Sequence, residues 1–283
     1  MDLAVYRDLM RVLQESLDVV DAPSSFYGAL NVLPRLMTGK WTLAEITGFR
    51  AFVSDKDARL IPPADKGEYF RAIVEWAQAH RVLFVPDYMV EPLRARRFKV
   101  TKIQTEYLMD PARLAALPGG RLRNRRYEVA RAREHADARI VDPRQHVLAL
   151  KDLTRRWYAE AKHRLWRPSE KTLIDWLIDN WTVVKEIEPT AACAVVFDRQ
   201  TRELLSYEMG SRLSGECAAS FTQRFDREKT RGVFAGANLL CSITLAEHLE
   251  LPVNDGPADH KELAARKQLL CSGTVDFYAV ERK

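Results

Sequence analysis

Cysteine is scarce in this 283-residue chain, and its four copies, Cys193, Cys217, Cys241 and Cys271, stand far apart. No C-x-x-C pair accompanies them, which argues against a zinc module or a disulfide framework and for reduced, buried thiols. The six histidines, His80, His135, His146, His163, His248 and His260, show no metal spacing and no partner serine or cysteine motif, so a nucleophilic triad is not expected. Long apolar runs are missing too. Nowhere do ~18 uncharged apolar residues follow one another, so no transmembrane segment is expected. The opening MDLAVYRDLMRVLQ mixes acids and arginines into its apolar pattern, unlike a secretory signal. These absences point to a soluble, cytoplasmic protein whose basic face could rest on the anionic inner face of a membrane. Its 47 % apolar residues are enough for a substantial core, in one large or two medium domains.

What the chain does have is positive charge in one place. Six arginines, Arg121, Arg123, Arg125, Arg126, Arg131 and Arg133, follow the break Pro118-Gly119-Gly120 within thirteen residues. Residues 94–133 carry twelve Lys or Arg against Glu106, Asp110 and Glu128, a local +9 in a chain of net +5, so the remainder is about −4. Such a field steers phosphate-bearing partners. The same run could be a solvated helix face, but it lacks the i, i+4 glutamates that usually lace one.

Helical spacing marks amphipathic segments from Val5 to Leu17, from Lys66 to His80 and from Val147 to His163. Trp157, Trp166, Trp176 and Trp181 sit at helical positions and read as core rather than as base-stacking platforms. Short β-rich runs at Val82–Val85, Ile103–Met109, Ala192–Phe197, Leu204–Met209 and Cys217–Phe221 read as strands, the last three as an antiparallel meander. A helix over Ala237–Leu249, a loop over Pro252–Pro257, a helix over Lys261–Leu270 and a strand over Val275–Val280 close the chain. This order is that of the acetyltransferase (GNAT) fold, and the first half carries a weaker version of it. The fold class expected is α/β (α+β), with two tandem GNAT-like mixed-sheet domains: 1–117, a basic connector helix at 118–138, and 139–283 with the candidate active site.

Two stretches could carry chemistry. In FDREKTRGVFAGAN, Asp226 and Arg231 lead into Gly232, Phe234, Gly236 and Asn238, a glycine-spaced helix start whose backbone N–H groups suit a phosphate or an oxyanion. The run Arg231–Ala237 is a degenerate relative of the pyrophosphate loop that holds coenzyme A; it is equally an ordinary strand-to-helix turn. The second stretch, Asn254-Asp255-Gly256-Pro257, has turn chemistry by default, but Lys267 on the following helix adds a cation that could polarise a carbonyl beside the Asp255 carboxylate.

Taken together, Glu106-Tyr107 before Leu117-x-Gly-Gly, Arg125-Arg126-x-x-Val129-x-Arg131, Asp226 with Gly232-Val233-Phe234 and Asn238, and Asn254-Asp255-Gly256 with Leu263-x-x-x-Lys267 resemble a known family. The chain is similar, from about Phe26 to Phe277, to the soluble C-terminal catalytic domain of phosphatidylglycerol lysyltransferases, a tandem-GNAT family of aminoacyl-tRNA-dependent transferases. The resemblance implies a transferase with aminoacyl-tRNA as co-substrate, no metal, and a lipid or small-molecule acceptor bearing a hydroxyl or amine. It implies catalytic roles for Asp226, Asp255, Lys267 and Arg231, substrate binding by Gly232, Phe234, Gly236, Asn238 and Asn254, and tRNA binding by the six arginines. Departures are Tyr127 where the family has Asn after Arg126, Ala264 where it has Arg, and about two extra residues between Asp255 and Lys267. The membrane-spanning flippase portion of the lysyltransferases is also missing from this sequence. The same fold allows an acyl-CoA-dependent N-acyltransferase with CoA on the Arg231–Ala237 loop, and a third reading is a non-catalytic RNA-binding relative.

Overall fold

Every fourth residue of the first helix, Leu9, Leu13 and Leu17, is buried, as an amphipathic stripe requires. The computed structural model describes residues 3–18, 20, 23–63, 65–160, 168–258 and 261–283. Its first half runs α1 (Leu3–Leu17), α2 (Ala29–Met37), a meander of β1 (Thr42–Ile46), β2 (Phe49–Ser54) and β3 (Asp57–Leu60), then α3 (Lys66–Trp76), β4 (Arg81–Pro86), α4 (Val90–Ala95), β5 (Lys99–Met109) and α5 (Pro111–Ala116). The basic helix α6 (Arg123–His135) connects to β6 (Ala136–Val141), α7 (Val147–Glu160), α8 (Pro168–Asp179) and α9 (Trp181–Ile187). A second meander, β7 (Ala192–Asp198), β8 (Leu204–Arg212) and β9 (Ala218–Phe225), is followed by α10 (Ala237–Leu249), β10 (Val253–Pro257), α11 (Lys261–Leu270) and β11 (Gly273–Glu281). His163, Trp166 and His260 lie outside the described residues. All four cysteines are free and buried.

Alternation along β7 shows how the second half is layered. Ala192, Ala194 and Val196 pack with α10, while Cys193, Val195 and Phe197 pack with α7, α8 and α9, among them Leu150, Ile174 and Trp181. Both faces of the strand are therefore covered. Among the described residues Gly232–Leu249 has the length and mean hydropathy of a membrane span, but its helix α10 buries eight side chains, including Leu240, Ile243 and Leu249, in this core.

Among the described residues eleven strands join one sheet in the order β1-β2-β3-β4-β11-β5-β10-β9-β8-β7-β6. Apart from β6, the order is symmetric about the β11–β5 pair. Each half contributes an antiparallel meander and then a strand parallel to the meander's end: β4 beside β3, and β10 beside β9. The last strand of each half crosses into the other, β11 between β4 and β5, β5 between β10 and β11.

The repeat extends to single residues. In each half the parallel pair holds for only two positions, Asp57↔Arg81 and Ala58↔Val82 in one, Val253↔Ala218 and Asn254↔Ala219 in the other, and then splays. Two residues past the last pair each strand bears a left-handed residue, Phe84 (φ 61°) and Gly256 (φ 65°). Both sit in the same kind of bulge: Val82 to Val85 against Val280 to Tyr278, and Asn254 to Pro257 against Leu108 to Glu106. The duplication that element order suggests is thus present in register. The Pro252–Pro257 segment, expected as a loop, is strand β10; Gly256 supplies a bulge instead of a chain reversal.

One glycine fixes how α6 sits. A Cβ on Gly236 would lie 2.5 Å from the carbonyl carbon and oxygen of Glu128 and 2.6 Å from the Val129 nitrogen, so the start of α10 abuts the backbone of α6. Backbone cannot yield as a side-chain tip does. Gly236→Ala should therefore lower stability by about 1–3 kcal/mol, measured by urea denaturation.

Candidate functional site

The connector helix and the two last helices enclose a cleft of about 310 Å³. Arg121, Asn124, Arg125 and Glu128 line it from the α6 side, Ala235, Asn238 and Leu239 from the start of α10, and Arg266, Leu269 and Leu270 from α11. Helical geometry explains the first set, since 121, 124, 125 and 128 share one side. Val129 and Ala132 face the core. The start of α10 has no side-chain cap from Gly236. Asn238 turns its Oδ1 to the Leu239 N–H at 2.9 Å.

Arg266 is the notable charge. It is half-buried on α11, and its pKa is lowered by burial and then by the guanidinium of Arg125. Asp255, Glu208 and Glu128 act on it only at a distance; among the described residues none comes within ion-pairing range. Sequence reasoning misses this residue.

Behind the cleft lies a buried acidic group. Glu208 on β8 accepts from Ser220 Oγ (2.7 Å), Gln223 Nε2 (2.8 Å) and Ser242 Oγ (2.7 Å). Burial, and then the charge of Asp255, raise its carboxyl to about 7. Gln223 also donates to the backbone carbonyl of Asn238 at 2.7 Å, linking this group to the cleft wall. Ser220 is the first β9 residue past the last β9–β10 pair. A lone glutamate inside a β-rich run gives no sequence signal; convergence of β9 and α10 upon it does.

The residues singled out from sequence fall into three sets. Asp255, Asn254 and Lys267 come together on and against β10. The buried Lys267 ammonium pairs with the Asp255 carboxylate at 3.1 Å and donates to the backbone carbonyls of Asp255, Gly256 (3.3 Å) and Pro257 (3.1 Å). It clamps the bulge and so aims Asp255. Asn254, fully buried, donates to Glu106 Oε2 (2.7 Å) and the Pro23 carbonyl (3.1 Å), and its Oδ1 accepts from the Gly256 N–H (2.9 Å).

The second set is apart from this group. Asp226 accepts from the Glu228 and Lys229 N–H groups and pairs with Arg156. Burial alone would raise its pKa, but the Lys229 amide and Arg156 outweigh that and hold it low. Its carboxylate closes a turn. Arg231 is exposed and bonds the Arg227 carbonyl (3.1 Å); Gly232 (φ 56°) lies open; Phe234 meets His135 edge-on at 6.5 Å; Gly236 is packed on α6.

The third set is the arginine run, all exposed. Arg121 and Arg125 reach the cleft, Arg125 also pairing with Glu128 (2.7 Å). Arg126 folds back to the Leu117 and Gly119 carbonyls and secures the break before the helix. Arg123, Arg131 and Arg133 have no carboxylate in ion-pairing range among the described residues.

The two bulges differ in chemistry. Where the second half has Asn254, Asp255 and Glu106, the equivalent first-half positions hold Val82, Leu83 and Tyr278. The carboxylate-bearing bulge belongs to the second half.

No protein-family model and no curated protein matches this sequence. Solved structures do. A conserved protein of unknown function from Bacteroides thetaiotaomicron superposes with a TM-score of 0.79 at 16 % identity, over 100 % of this chain and 98 % of its own. L-PGS from Bacillus licheniformis gives 0.63 at 12 % identity, covering 96 % and 91 %. The C-terminal domain (DUF2156) of a putative lysylphosphatidylglycerol synthetase from Agrobacterium fabrum gives 0.61 at 14 %, covering 96 % and 92 %. The chain has the fold of these domains, as the resemblance in its motifs implies.

Proposed function

We propose that this chain is an acyltransferase that moves an amino acid from aminoacyl-tRNA to a hydroxyl or amine acceptor. The observation that carries this reading is the half-buried Arg266, without an ion-pair partner among the described residues, facing Arg121 and Arg125 across one cleft, beside the acidic group of β8 and β10. Guanidinium forks suit the phosphates of a tRNA acceptor end, and α6 extends the basic surface outward. The aminoacyl ester is already activated, so catalysis needs positioning, water exclusion and proton transfer. Asp255, aimed by Lys267, is placed to hold the donor's α-ammonium. The acceptor's oxygen or nitrogen bonds to the ester carbonyl carbon, the bond to the tRNA 3′-oxygen breaks, and the acceptor's proton passes through the Ser220 hydroxyl to Glu208 and on to that leaving oxygen.

The CoA alternative is disfavoured by Gly236, which is packed against the α6 backbone and so has no room beside it for a pyrophosphate. The test is incubation with tRNA carrying labelled amino acids and with cell extracts as acceptor source, alongside a thermal shift with CoA. Transfer of label supports the proposal. Stabilisation by CoA with no transfer favours the alternative, and salt-sensitive tRNA binding with no transfer favours a silent binder.

Glu208 adds a pH signature. Its folded-state pKa lies above the ordinary 4.5, so the stability it contributes is fully present below about pH 4.5 and disappears as pH rises through about 7. Glu208→Gln should flatten the fall of the thermal midpoint between pH 5 and 8 and remove the rise of transfer rate over that range.

A further inference from the structure

The first half has a cationic group of its own, far in sequence from α6. Arg35 lies in the last turn of α2, and among the described residues its guanidinium donates only to the carbonyl and side-chain oxygens of Asn31, neutral acceptors on the same helix. The turn after α2 closes through the Lys40 and Trp41 N–H groups, both bonded to the Arg35 carbonyl, and this brings the buried Trp41 ring beneath Arg35 at 5.1 Å. Arg59 reaches the same ring at 4.5 Å from β3. It is the first residue past the last β3–β4 pair, the position that Ser220 occupies in the other half.

Two guanidiniums thus share one indole. Each is held below the usual arginine value by burial first, Arg35 to about 10, and Arg35 further by the charge of Arg59. Neither has a carboxylate in ion-pairing range among the described residues. Glu170, felt by Arg35, is paired with Arg224 at 3.0 Å. Asp57, felt by Arg59, is taken by both arms of Arg81 at 2.8 and 3.1 Å. One donor stays unspent: the buried Nε of Arg59 has no hydrogen-bond partner among the described residues. Its guanidinium otherwise reaches Ser54 Oγ, at 3.1 Å, while the buried Tyr27 hydroxyl beside it is engaged by Tyr69.

Like charges that are half-withdrawn from water, close together and without a counter-ion are costly unless an anion completes them. Both arginines are half-buried rather than enclosed, so a ligand can reach them. We infer that Arg35, Arg59 and Trp41 form a second anion site that binds a phosphate oxyanion. The guanidiniums supply two forks, and Trp41 a rigid plate that fixes their spacing. This site is independent of the cleft and of the reading of the cleft as a tRNA site.

The experiment uses the full chain carrying Arg121→Ala, Arg125→Ala and Arg266→Ala, so that the cleft has none of its guanidiniums. Inorganic phosphate is titrated at constant ionic strength against chloride and the thermal midpoint is followed. Flotation with phosphatidylcholine vesicles, with and without phosphatidic acid, forms the second arm. A saturable rise with phosphate, or flotation with phosphatidic acid, supports the site, and the arm that responds identifies a soluble phosphate or a lipid headgroup as the source. Adding Arg35→Gln and Arg59→Gln should weaken the response at least about tenfold and raise the ligand-free midpoint, because two repelling charges are gone. Should that variant fail to fold, Arg35→Lys with Arg59→Lys keeps the charges without the forks and should lose most of the response. No response in either arm, or a response unchanged in these variants, overturns the inference.

Discussion

Arg266→Ala should lower kcat/KM for aminoacyl transfer by about two orders of magnitude while leaving the protein at least as stable as the wild type. The pairing of these two results is what distinguishes a ligand-binding arginine from a structural one. Among the described residues Arg266 has no carboxylate partner to lose, and its burial beside Arg125 is a standing repulsion, so its removal relieves the free protein. The same removal deprives a bound phosphate of a partly desolvated fork. Binding of tRNA should weaken, and the slope of log affinity against log salt should shrink by about 0.7–0.9 for each phosphate no longer held. Arg266→Lys keeps the charge and should recover little, because an ammonium cannot grip two phosphate oxygens at once. Arg126→Ala is the control on α6: its guanidinium serves the Leu117 and Gly119 carbonyls, so stability should fall while the salt slope stays. Transfer kinetics, filter binding over a salt series and urea denaturation read these outcomes. A stability loss in Arg266→Ala with unchanged tRNA affinity would sink the assignment.

Much of the second half was legible because its signals are local. The bounds of α10 and α11 follow from apolar spacing and from the glycines and prolines around them, and the meander follows from β-rich runs between polar turns. The first meander escapes the same reading. Its strands are five, six and four residues long with mixed burial, and the β1–β2 reversal uses Thr47 (φ 50°) with Gly48 (φ 84°), a left-handed pair without the usual Asn or Asp. Strand β10 was hidden for a different reason. Asn-Asp-Gly-Pro is turn chemistry, and here the sheet overrides it, pairing Asn254 and Pro257 on one side and Asn254 on the other around a bulge. Site residues divide in the same way. Asp255 and Lys267 were findable through motif order, and the arginine run through charge counting. Which arginines face a cavity depends on Gly236 seating α6 against α10, and the raised carboxyl of Glu208 depends on side chains brought from β9 and α10. Neither is encoded within a window of neighbouring residues.

Glu106→Ala should be the most destabilising single change in the chain, at about 3–6 kcal/mol, a large fraction of the ~5–15 kcal/mol that holds a typical domain folded. Glu106 is fully buried on β5, where the two halves exchange strands. Its carboxylate accepts from Ser24 Oγ (2.7 Å), the Ser25 N–H (2.8 Å), Asn254 Nδ2 (2.7 Å) and Gln104. Burial raises its pKa, and the Ser24, Ser25 and Asn254 donors oppose that rise. Alanine would take the acceptor from four donors at once, two of them buried and each of those costing ~1–3 kcal/mol, and open a cavity among them. Glu106→Gln keeps the shape and one acceptor oxygen but sets an NH₂ against a donor, so it should fall between the two. The corresponding position of the first half is Tyr278, whose bulge holds through apolar packing with no carboxylate at its centre. The second half therefore hangs its Asn254–Asp255 bulge on a polar hub that the first half does without. That difference yields a functional corollary, checked by urea denaturation and transfer kinetics together. In Glu106→Gln, Asn254 loses an anchor, Asp255 loses its aim, and transfer should fall by more than folded fraction alone accounts for. Equal losses of folded fraction and activity would mean the hub supports the fold and nothing more.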